Sequence, residues 1–333
     1  MNRGLGRRPG LAITVISAVA PAATRGRTDP APDLLATLPA RNRQSGVGRS
    51  SGLRGRAPLG SCAPATTSTP APKPTISIII PCHNYGRYLE EAFDSVLRQT
   101  RQADEIVVID DGSDDDTPAV VTRLRQLRPD LVAIRRAPAR GTCITMNDGV
   151  RLSSGELIVE LSADDRLSER YLELSERALL DDPGADFAYT ALHYFGASDL
   201  WVEARPWNPQ ALCQDNYVHG TSMFRRSLHE RLGGYRADFN RLGLEDWELW
   251  VHALAAGRRG VPVQGCWLDY RRHGVSRNRL PTRSLVWAHL KVWWLHRSVV
   301  RAIDVAIWMG RPAWKRVFRG RPRGVRAGSG WAR

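Results

Sequence analysis

The sequence predicts an α/β protein with a mostly parallel sheet, and two observations lead to this prediction. Between residues 75 and 165, short β-branched runs alternate with segments whose apolar residues recur at helical spacing. This alternation is typical of right-handed βαβ units. Polar residues also follow the predicted strands directly, where parallel sheets bind ligands. These residues are His83, Asp110, Asp111, Asp164 and Asp165.

The first half of the folded region contains four predicted strands, each apolar and rich in Val or Ile. They are Ile76–Ile80 (ended by Pro81), Glu105–Ile109, Leu131–Ile134 and Leu157–Leu161. Three predicted helices separate them: Tyr88–Gln99, a second with Thr117 as N-cap and Pro118 at its first position, and 143–152.

The second half has a more mixed pattern. A helix is predicted near 168–180, a strand at Phe187–Tyr189, and irregular chain over 194–215. A strand at His219–Phe224 and a helix at Arg225–Leu232 follow, then a helix from Glu245 to Gly257 and a strand at Val261–Asp269. Trp247 and Trp250 share the apolar face of the helix that begins at Glu245, so we expect them in the core.

Charge is distributed unevenly along the 333 residues, although the net charge is +14. Residues 1–74 have a net charge of +9 and residues 271–333 have +15, whereas residues 75–270 have −10. The basic flanks therefore account for the high isoelectric point, and the acidic body argues against a nucleic-acid binder.

The five cysteines, an odd number without Cys-x-x-Cys spacing, favour neither a disulfide framework nor a zinc site. A reducing, cytoplasmic location is the expectation. Residues 1–74 are rich in Arg, Gly, Pro and Ala, and we expect a disordered extension or a start codon assigned too far upstream. A secretory signal around Leu11–Ala20 is the alternative.

The basic tail, 276–333, is predicted to be helical, and five tryptophans fall between Arg283 and Phe318. An amphipathic basic helix suits a membrane surface or a partner groove, and thus peripheral membrane contact. The alternative is a helix packed on the body with a solvated basic edge.

Asp164 and Asp165 are adjacent carboxylates at a predicted strand end. There they repel each other and contribute little to folding, whereas they suit a divalent cation such as Mn²⁺ or Mg²⁺. Neither a dinucleotide-binding Gly-x-Gly-x-x-Gly after the first strand nor a P-loop motif occurs. A nucleotide site built from carboxylates and a metal remains, in which Asp111 accepts hydrogen bonds from a base or ribose.

Six motifs in order resemble family 2 glycosyltransferases of the GT-A fold, over residues 75–275. They include Thr75-Ile-Ser-Ile-Ile-Ile-Pro, Asp110-Asp-Gly-Ser, Asn147-Asp-Gly, Ser162-Ala-Asp-Asp, Leu244-Glu-Asp-Trp and Tyr270-Arg-Arg-His-Gly. The resemblance implies a Rossmann-like sheet with a nucleotide-binding half to about 165 and an acceptor half after it. It implies inverting, metal-dependent transfer of a hexose from a nucleotide sugar, preferably a UDP-sugar, to a glycan or lipid-linked acceptor.

The resemblance also implies roles for single residues. Asp246 is the expected general base, held ionised by the helix dipole. Asp164, assisted by Asp165, is the expected metal ligand. The expected donor-binding residues are Pro81, His83, Asp110, Asp111, Gly112, Arg140, Asp164, Asp165, Arg271 and His273.

Two departures from the family pattern keep alternatives open. Ser162 replaces the first Asp of the Asp-x-Asp motif, and Met146 stands where the family often has Arg. A degenerate protein that binds nucleotide sugar without turnover is one alternative. A nucleotidyltransferase-like enzyme, which attacks the α-phosphate and releases pyrophosphate, is the other.

Overall fold

A computed structural model of the chain describes residues 14–15, 73–273 and 282–310. The predictions for residues 1–72, apart from Thr14 and Val15, and for 274–281 and 311–333 lie outside the described residues. The described strands form one ten-stranded sheet. The strands are β1 Thr14–Val15, β2 Ile76–Cys82, β3 Glu105–Asp110, β4 Val132–Arg135, β5 Leu157–Glu160, β6 Arg166–Leu167, β7 Phe187–Gly196, β8 Leu200–Val202, β9 Met223–Arg225 and β10 Gly260–Arg272.

The helices within the described part of the chain lie between and after these strands. They are α1 Gly86–Leu97, α2 Thr117–Leu127, α3 Thr142–Leu152, α4 Tyr171–Asp181, α5 Pro209–Gln214, α6 Arg226–Leu232, α7 Glu245–Ala255, α8 Thr282–Leu295 and α9 Ala302–Met309.

The sheet has the order β1-β4-β3-β2-β5-β9-β7-β10-β6, and β8 pairs with β7. The four strands β4, β3, β2 and β5 are parallel to one another. Across β9 the pairing becomes antiparallel, and β7 and β10 are again parallel. The predicted parallel α/β sheet, shared by the two halves, is therefore confirmed.

The two faces of the sheet carry separate apolar layers, because side chains alternate along each strand. Ile78 and Ile80 of β2 pack in one layer with Phe93 of α1. Ile79 of β2 packs in the other layer with the fully buried Trp247 and Trp250 of α7. The core location predicted for these two tryptophans is confirmed.

Several predicted boundaries were wrong. β2 continues through Pro81 to Cys82 and pairs there with β3. The pairing of β2 with β5 ends at Ile79, so the missing N–H of Pro81 removes no hydrogen bond on that side. Thr117 is the first residue of α2 and not its N-cap. Its backbone N–H and its hydroxyl both donate to Oδ1 of Asp115, at 3.0 and 2.5 Å.

The segment 194–215, predicted to be irregular, contains the end of β7, the edge strand β8 and the short helix α5. The predicted strand at His219–Phe224 is reduced to β9, because His219 to Ser222 form a turn closed by the bond from the Ser222 N–H to the His219 carbonyl, 3.2 Å. These elements are short, and their pairing depends on distant strands that local sequence does not specify.

Helices α8 and α9 pack against α7 and α5. Ala288 and Val292 of α8 are fully buried in the same apolar layer as Trp247. His296, just after α8, lies with Nε2 2.8 Å from Oε1 of the buried Glu248 in α7. Among the described helices, none is long and apolar enough to cross a bilayer.

Candidate active site

The carboxyl ends of β2, β3 and β5 lie side by side, because these strands are neighbours and parallel. This arrangement places His83 after β2, Asp111 after β3 and Asp164 after β5 on one edge of the sheet. His83 is exposed, and its Nδ1 lies 2.9 Å from the backbone carbonyl of Asp111. Three of the predicted site residues therefore share one edge.

Asp111 closes the loop that precedes α3. Its carboxylate accepts the backbone N–H groups of Arg140, at 3.0 Å, and Gly141, at 2.8 Å. Gly112 beside it has φ of +74°, and a Cβ there would meet the Ala139 nitrogen at 2.7 Å. A glycine is therefore required, since both the conformation and the space exclude a side chain. The carboxylate is only 5% exposed.

Asp110 and Pro81 support this edge from within the sheet. Asp110 is 2% exposed, and its Oδ1 accepts the Ser113 N–H at 2.9 Å, which fixes the turn. Pro81 is partly exposed and pairs with Ile109. The structure thus gives Asp110 a role in the turn. His83, in contrast to Asp110, is exposed at this edge.

A cluster of arginines surrounds Asp148, and of these only Arg140 was identified from the sequence. The buried Arg136 donates to Asp148 and, at 3.2 Å, to Thr145, and its Nη1 lies 3.5 Å from Asp111. Arg140 reaches Asp148 at 3.4 Å while its side chain is 38% exposed. Arg136 directly follows β4, so the strand-end rule used for the aspartates could have identified it.

Asp164 and His273 come together although 109 residues separate them. Nε2 of His273 lies 2.9 Å from Oδ2 of Asp164. The imidazole packs on the rings of Tyr85 and Tyr88, with centroid separations of 5.6 and 5.5 Å. Nδ1 of His273 is buried and has no hydrogen-bond partner among the described residues. The sequence predicted both residues, but neither tyrosine.

Asp165 has a different environment from Asp164. It is 3% exposed, and its Oδ1 accepts the backbone N–H of Arg271 at 2.8 Å. Burial, together with the charge of Asp164, raises its pKa well above the ordinary value. The carboxyl joins the 164–165 turn to β10, and the predicted role of Asp165 as a second metal ligand would require it to release the Arg271 N–H.

Arg271 is also engaged by the protein. Its Nε donates to the Asp164 carbonyl at 2.8 Å, its Nη2 pairs with Glu91, and its guanidinium stacks on Tyr88 and Phe195 at 4.7 and 4.3 Å. The side chain is 15% exposed. Arg271 thus holds the wall of the site, and its expected contact with a diphosphate requires these bonds to rearrange.

Within the described residues, the Asp164 carboxylate and the His273 imidazole lie close enough to each other to hold one divalent cation at this edge. No group of three or more His, Cys, Asp or Glu residues within the described ranges is arranged to hold a metal ion. Mg²⁺ and related ions often take one or two protein ligands and complete their coordination with water and substrate phosphates. The residues present therefore fit a cation that arrives with a nucleotide diphosphate.

Asp246 lies in the first turn of α7, which begins after Leu244 in a left-handed conformation, φ +61°. Its Oδ2 accepts from the Asn216 side chain at 3.1 Å, and its Oδ1 accepts the Trp247 N–H at 2.8 Å. Burial and the charge of Glu245 raise its pKa to about 6. The net shift is opposite to the one expected from the helix dipole, because desolvation and the neighbouring carboxylate outweigh the dipole.

Glu160, the last residue of β5, is a second carboxyl that was not identified from the sequence. It is 3% exposed, and the Tyr235 hydroxyl donates to its Oε2 at 2.5 Å. Burial, and secondarily the charge of Glu245, raise the pKa of Glu160 to about 8. The pKa of Tyr235 is raised by its burial and by the charges of Glu160, Asp246 and Glu245.

Comparisons with known proteins place this fold and site in a family. The sequence model described as "Glycosyl transferase family 2" matches residues 77–237. The PGL/p-HBAD biosynthesis glycosyltransferase of Mycobacterium bovis is 30% identical over 190 residues, which are 55% of this chain and 70% of that protein. The putative teichuronic acid biosynthesis glycosyltransferase TuaG of Bacillus subtilis is 22% identical over 69% of this chain and 90% of its own length.

A solved structure agrees on the fold. The Staphylococcus aureus TarS fragment 1–349, in complex with UDP-GlcNAc, superposes with a TM-score of 0.57 over 70% of each chain at 17% identity. That likeness concerns the fold alone. The chain belongs to the family 2 glycosyltransferases, has the predicted GT-A fold, and is a glycosyltransferase.

Proposed function

We propose that this glycosyltransferase is metal-dependent and inverting, and transfers a sugar from a UDP-sugar to an acceptor hydroxyl. The observation that carries the proposal is the contact between Asp164 and His273 at the carboxyl edge of the sheet, 2.9 Å. It joins a carboxylate and an imidazole at the edge of the sheet where the loops after β2 and β3 also lie. The uridine nucleotide follows from the family resemblance, and the TarS fragment was solved with UDP-GlcNAc.

The donor would lie across the ends of β2, β3 and β5. In the proposal, His83 and the loop held by Asp111 and Gly112 border the nucleoside, and Arg140 lies next to this loop. Asp164 and His273 would hold Mn²⁺ or Mg²⁺ on the diphosphate. Bound there, the cation supplies a Lewis acid that neutralises charge on the departing nucleoside diphosphate.

Asp246 would act as the general base. The acceptor hydroxyl oxygen forms a bond to C1 of the sugar while the bond from C1 to the diphosphate oxygen breaks, and Asp246 takes the hydroxyl proton. A pKa of about 6 suits this role, because the carboxyl is ionised near neutral pH and is still basic enough to accept a proton. One displacement inverts the configuration at C1. The Asn216 and Trp247 N–H groups orient the carboxylate.

The acceptor would be a glycan or a lipid-linked sugar in cell-surface or secreted glycan synthesis. This choice is supported by the names of the relatives, which concern PGL/p-HBAD and teichuronic acid biosynthesis. We propose a cytoplasmic site of action, since the four cysteines of the described region are free and buried.

Product analysis on a panel of nucleotide sugars tests the proposal. We expect release of nucleoside diphosphate and a product whose anomeric configuration, observed by NMR, is opposite to that of the donor. Release of pyrophosphate from a nucleoside triphosphate, offered together with a sugar phosphate in a parallel assay, would support the nucleotidyltransferase alternative. Donor binding without release of nucleoside diphosphate, with both glycan and lipid-linked acceptors, would support the alternative of a degenerate protein, which Ser162 keeps open.

A further inference from the structure

The last two described helices carry a surface that the sugar-transfer chemistry does not use. Large apolar side chains of α8 and α9 face solvent there, and we call them the C-terminal apolar surface. They are Trp287 (65% exposed), Trp294 (61%), Ile303 (53%), Ile307 (40%) and Met309 (43%). Trp287 and Trp294 are seven residues apart and share a face of α8, and Ile303 and Ile307 are four apart on α9.

The charge on these two helices is mostly positive, and the nearby Asp238 is paired with Lys291 of α8 at 2.7 Å. Arg283 and Arg297 are exposed, and the Arg297 guanidinium lies 4.4 Å from the centre of the Trp294 ring. Residues 283–310 contain a single acidic residue, Asp304, which is fully buried. Residues 311–333 add eight Lys and Arg and no acid to the sequence. The excess of basic residues therefore favours an anionic partner.

We propose that the C-terminal apolar surface binds an anionic lipid bilayer. Tryptophans with arginines beside them suit the boundary between headgroups and acyl chains, where the ring is buried and the cation meets phosphate. Basic residues near such a surface add electrostatic attraction to anionic lipids. A helix that spans the bilayer is not needed for this contact.

The same helices are tied to the proposed general base. The rings of Trp247 and His289 lie 4.5 Å apart, and His296 contacts Glu248, so α8 is packed on the helix that begins with Glu245 and Asp246. Docking would thus fix the orientation of α7 with respect to the membrane. Resting on the proposed function, this favours a lipid-anchored acceptor over a soluble glycan.

Vesicle co-sedimentation of the full chain, without donor or metal, tests the membrane contact. We expect binding to phosphatidylcholine vesicles that contain phosphatidylglycerol to be at least about tenfold tighter than to phosphatidylcholine alone, and weaker at high salt. Equal binding to both vesicles, or no binding, would overturn the proposal. Because neither donor nor acceptor is present, this result is independent of whether sugar transfer occurs.

Paired variants identify the surface. Trp287→Ser with Trp294→Ser should weaken vesicle binding about tenfold or more, and Arg283→Gln with Arg297→Gln should reduce the preference for phosphatidylglycerol. The matched control is Leu127→Ser with Leu180→Ser, which changes exposed leucines on α2 (66% exposed) and α4 (48% exposed). This control should bind vesicles as tightly as the wild type.

Two further measurements keep the test decisive. If the tryptophan variant unfolds, quenching of wild-type tryptophan fluorescence by brominated phosphatidylglycerol replaces it, and unquenched fluorescence overturns the proposal. Light scattering measures the mass of the wild type and the variant. A wild-type oligomer that dissociates in the tryptophan variant, with vesicle binding unchanged, would show that a second copy covers this surface instead.

Discussion

Nε2 of His273 lies 2.9 Å from Oδ2 of Asp164, although His273 follows β10 and Asp164 follows β5. The contact exists because β10 and β6 pair antiparallel and the Arg271 N–H donates to Asp165, which bring the end of β10 to the 164–165 turn. In the proposal, these two side chains form the protein part of a metal site.

Replacing His273 by Ala, or Asp164 by Asn, should weaken Mn²⁺-dependent donor binding by about 10- to 100-fold, because each change removes one of two protein ligands. Isothermal titration of a UDP-sugar with and without Mn²⁺ measures the effect. His193→Ala is a matched control, since His193 also contacts an aspartate, Asp269, at 2.7 Å but lies outside the proposed metal site. An unchanged metal titration in both site variants would remove the pair from that role.

Asp246→Asn should lower kcat by about 10²- to 10⁴-fold, because the amide cannot accept the acceptor proton. Donor affinity should remain near the wild-type value. Turnover and donor titration, measured together, separate the two effects. Asp181→Asn, at the exposed end of α4, should leave both unchanged. Wild-type turnover in Asp246→Asn would exclude it as the base.

The pH profile of kcat/KM should fall below about pH 6, where Asp246, with its raised pKa, becomes protonated. Glu245→Gln should move this acid limb to lower pH, because the variant removes a neighbouring negative charge that raises the pKa of Asp246. Profiles of both proteins with saturating metal measure the shift. A limb that stays in place, or moves to higher pH, would contradict the assignment.

Glu160→Gln should stabilise the protein increasingly as the pH rises. The pKa of Glu160 is about 8 in the folded protein, above its ordinary value of 4.5, so between these values the folded state holds a proton that the unfolded state has lost. Wild-type stability therefore falls with rising pH across this window. The amide keeps an acceptor for the Tyr235 hydroxyl and does not ionise.

Urea unfolding measures this effect. The free energy of unfolding of Glu160→Gln, relative to wild type, should rise by about 4 kcal/mol between about pH 5 and pH 9. The exposed Glu203→Gln is the control and should show a constant difference. A pH-independent difference for Glu160→Gln would mean that the carboxyl is ionised in the folded protein throughout.

Gly112→Ala should destabilise the protein by about 1–3 kcal/mol and weaken donor binding. The cause is the φ of +74° and the approach of the added Cβ to Ala139. Thermal unfolding with and without UDP measures both effects. Gly233→Ala is a useful comparison, since Gly233 has the same φ of +74° but no atom within 4 Å of the added Cβ. If both variants lose the same amount of stability, the approach of the added Cβ to Ala139 does not contribute to the destabilisation.

The fold was predictable because apolar runs and helical spacing are local properties. The parallel order of the first four strands follows from βαβ connections, and so does the common edge that His83, Asp111 and Asp164 occupy. The family resemblance supplied Asp246 and His273, which local pattern does not single out. The surroundings of single side chains were not predictable in this way.

Asp165 and Asp246 show why. In sequence, Asp165 is one of two adjacent carboxylates, but the turn directs it into the protein, where the Arg271 N–H holds it. The pKa of Asp246 depends on burial and on Glu245, and neither effect is visible without coordinates. Asn216 and Tyr235, which complete the site, come from segments without periodic pattern and were not predicted.

The most direct test of the proposed function is nucleoside diphosphate release by the wild-type chain from a UDP-sugar in the presence of acceptor, measured with Mn²⁺ and again after chelation. We expect release with Mn²⁺, its loss on chelation, and its recovery when Mn²⁺ or Mg²⁺ is restored. Equal release with and without chelator would contradict a metal held by Asp164 and His273.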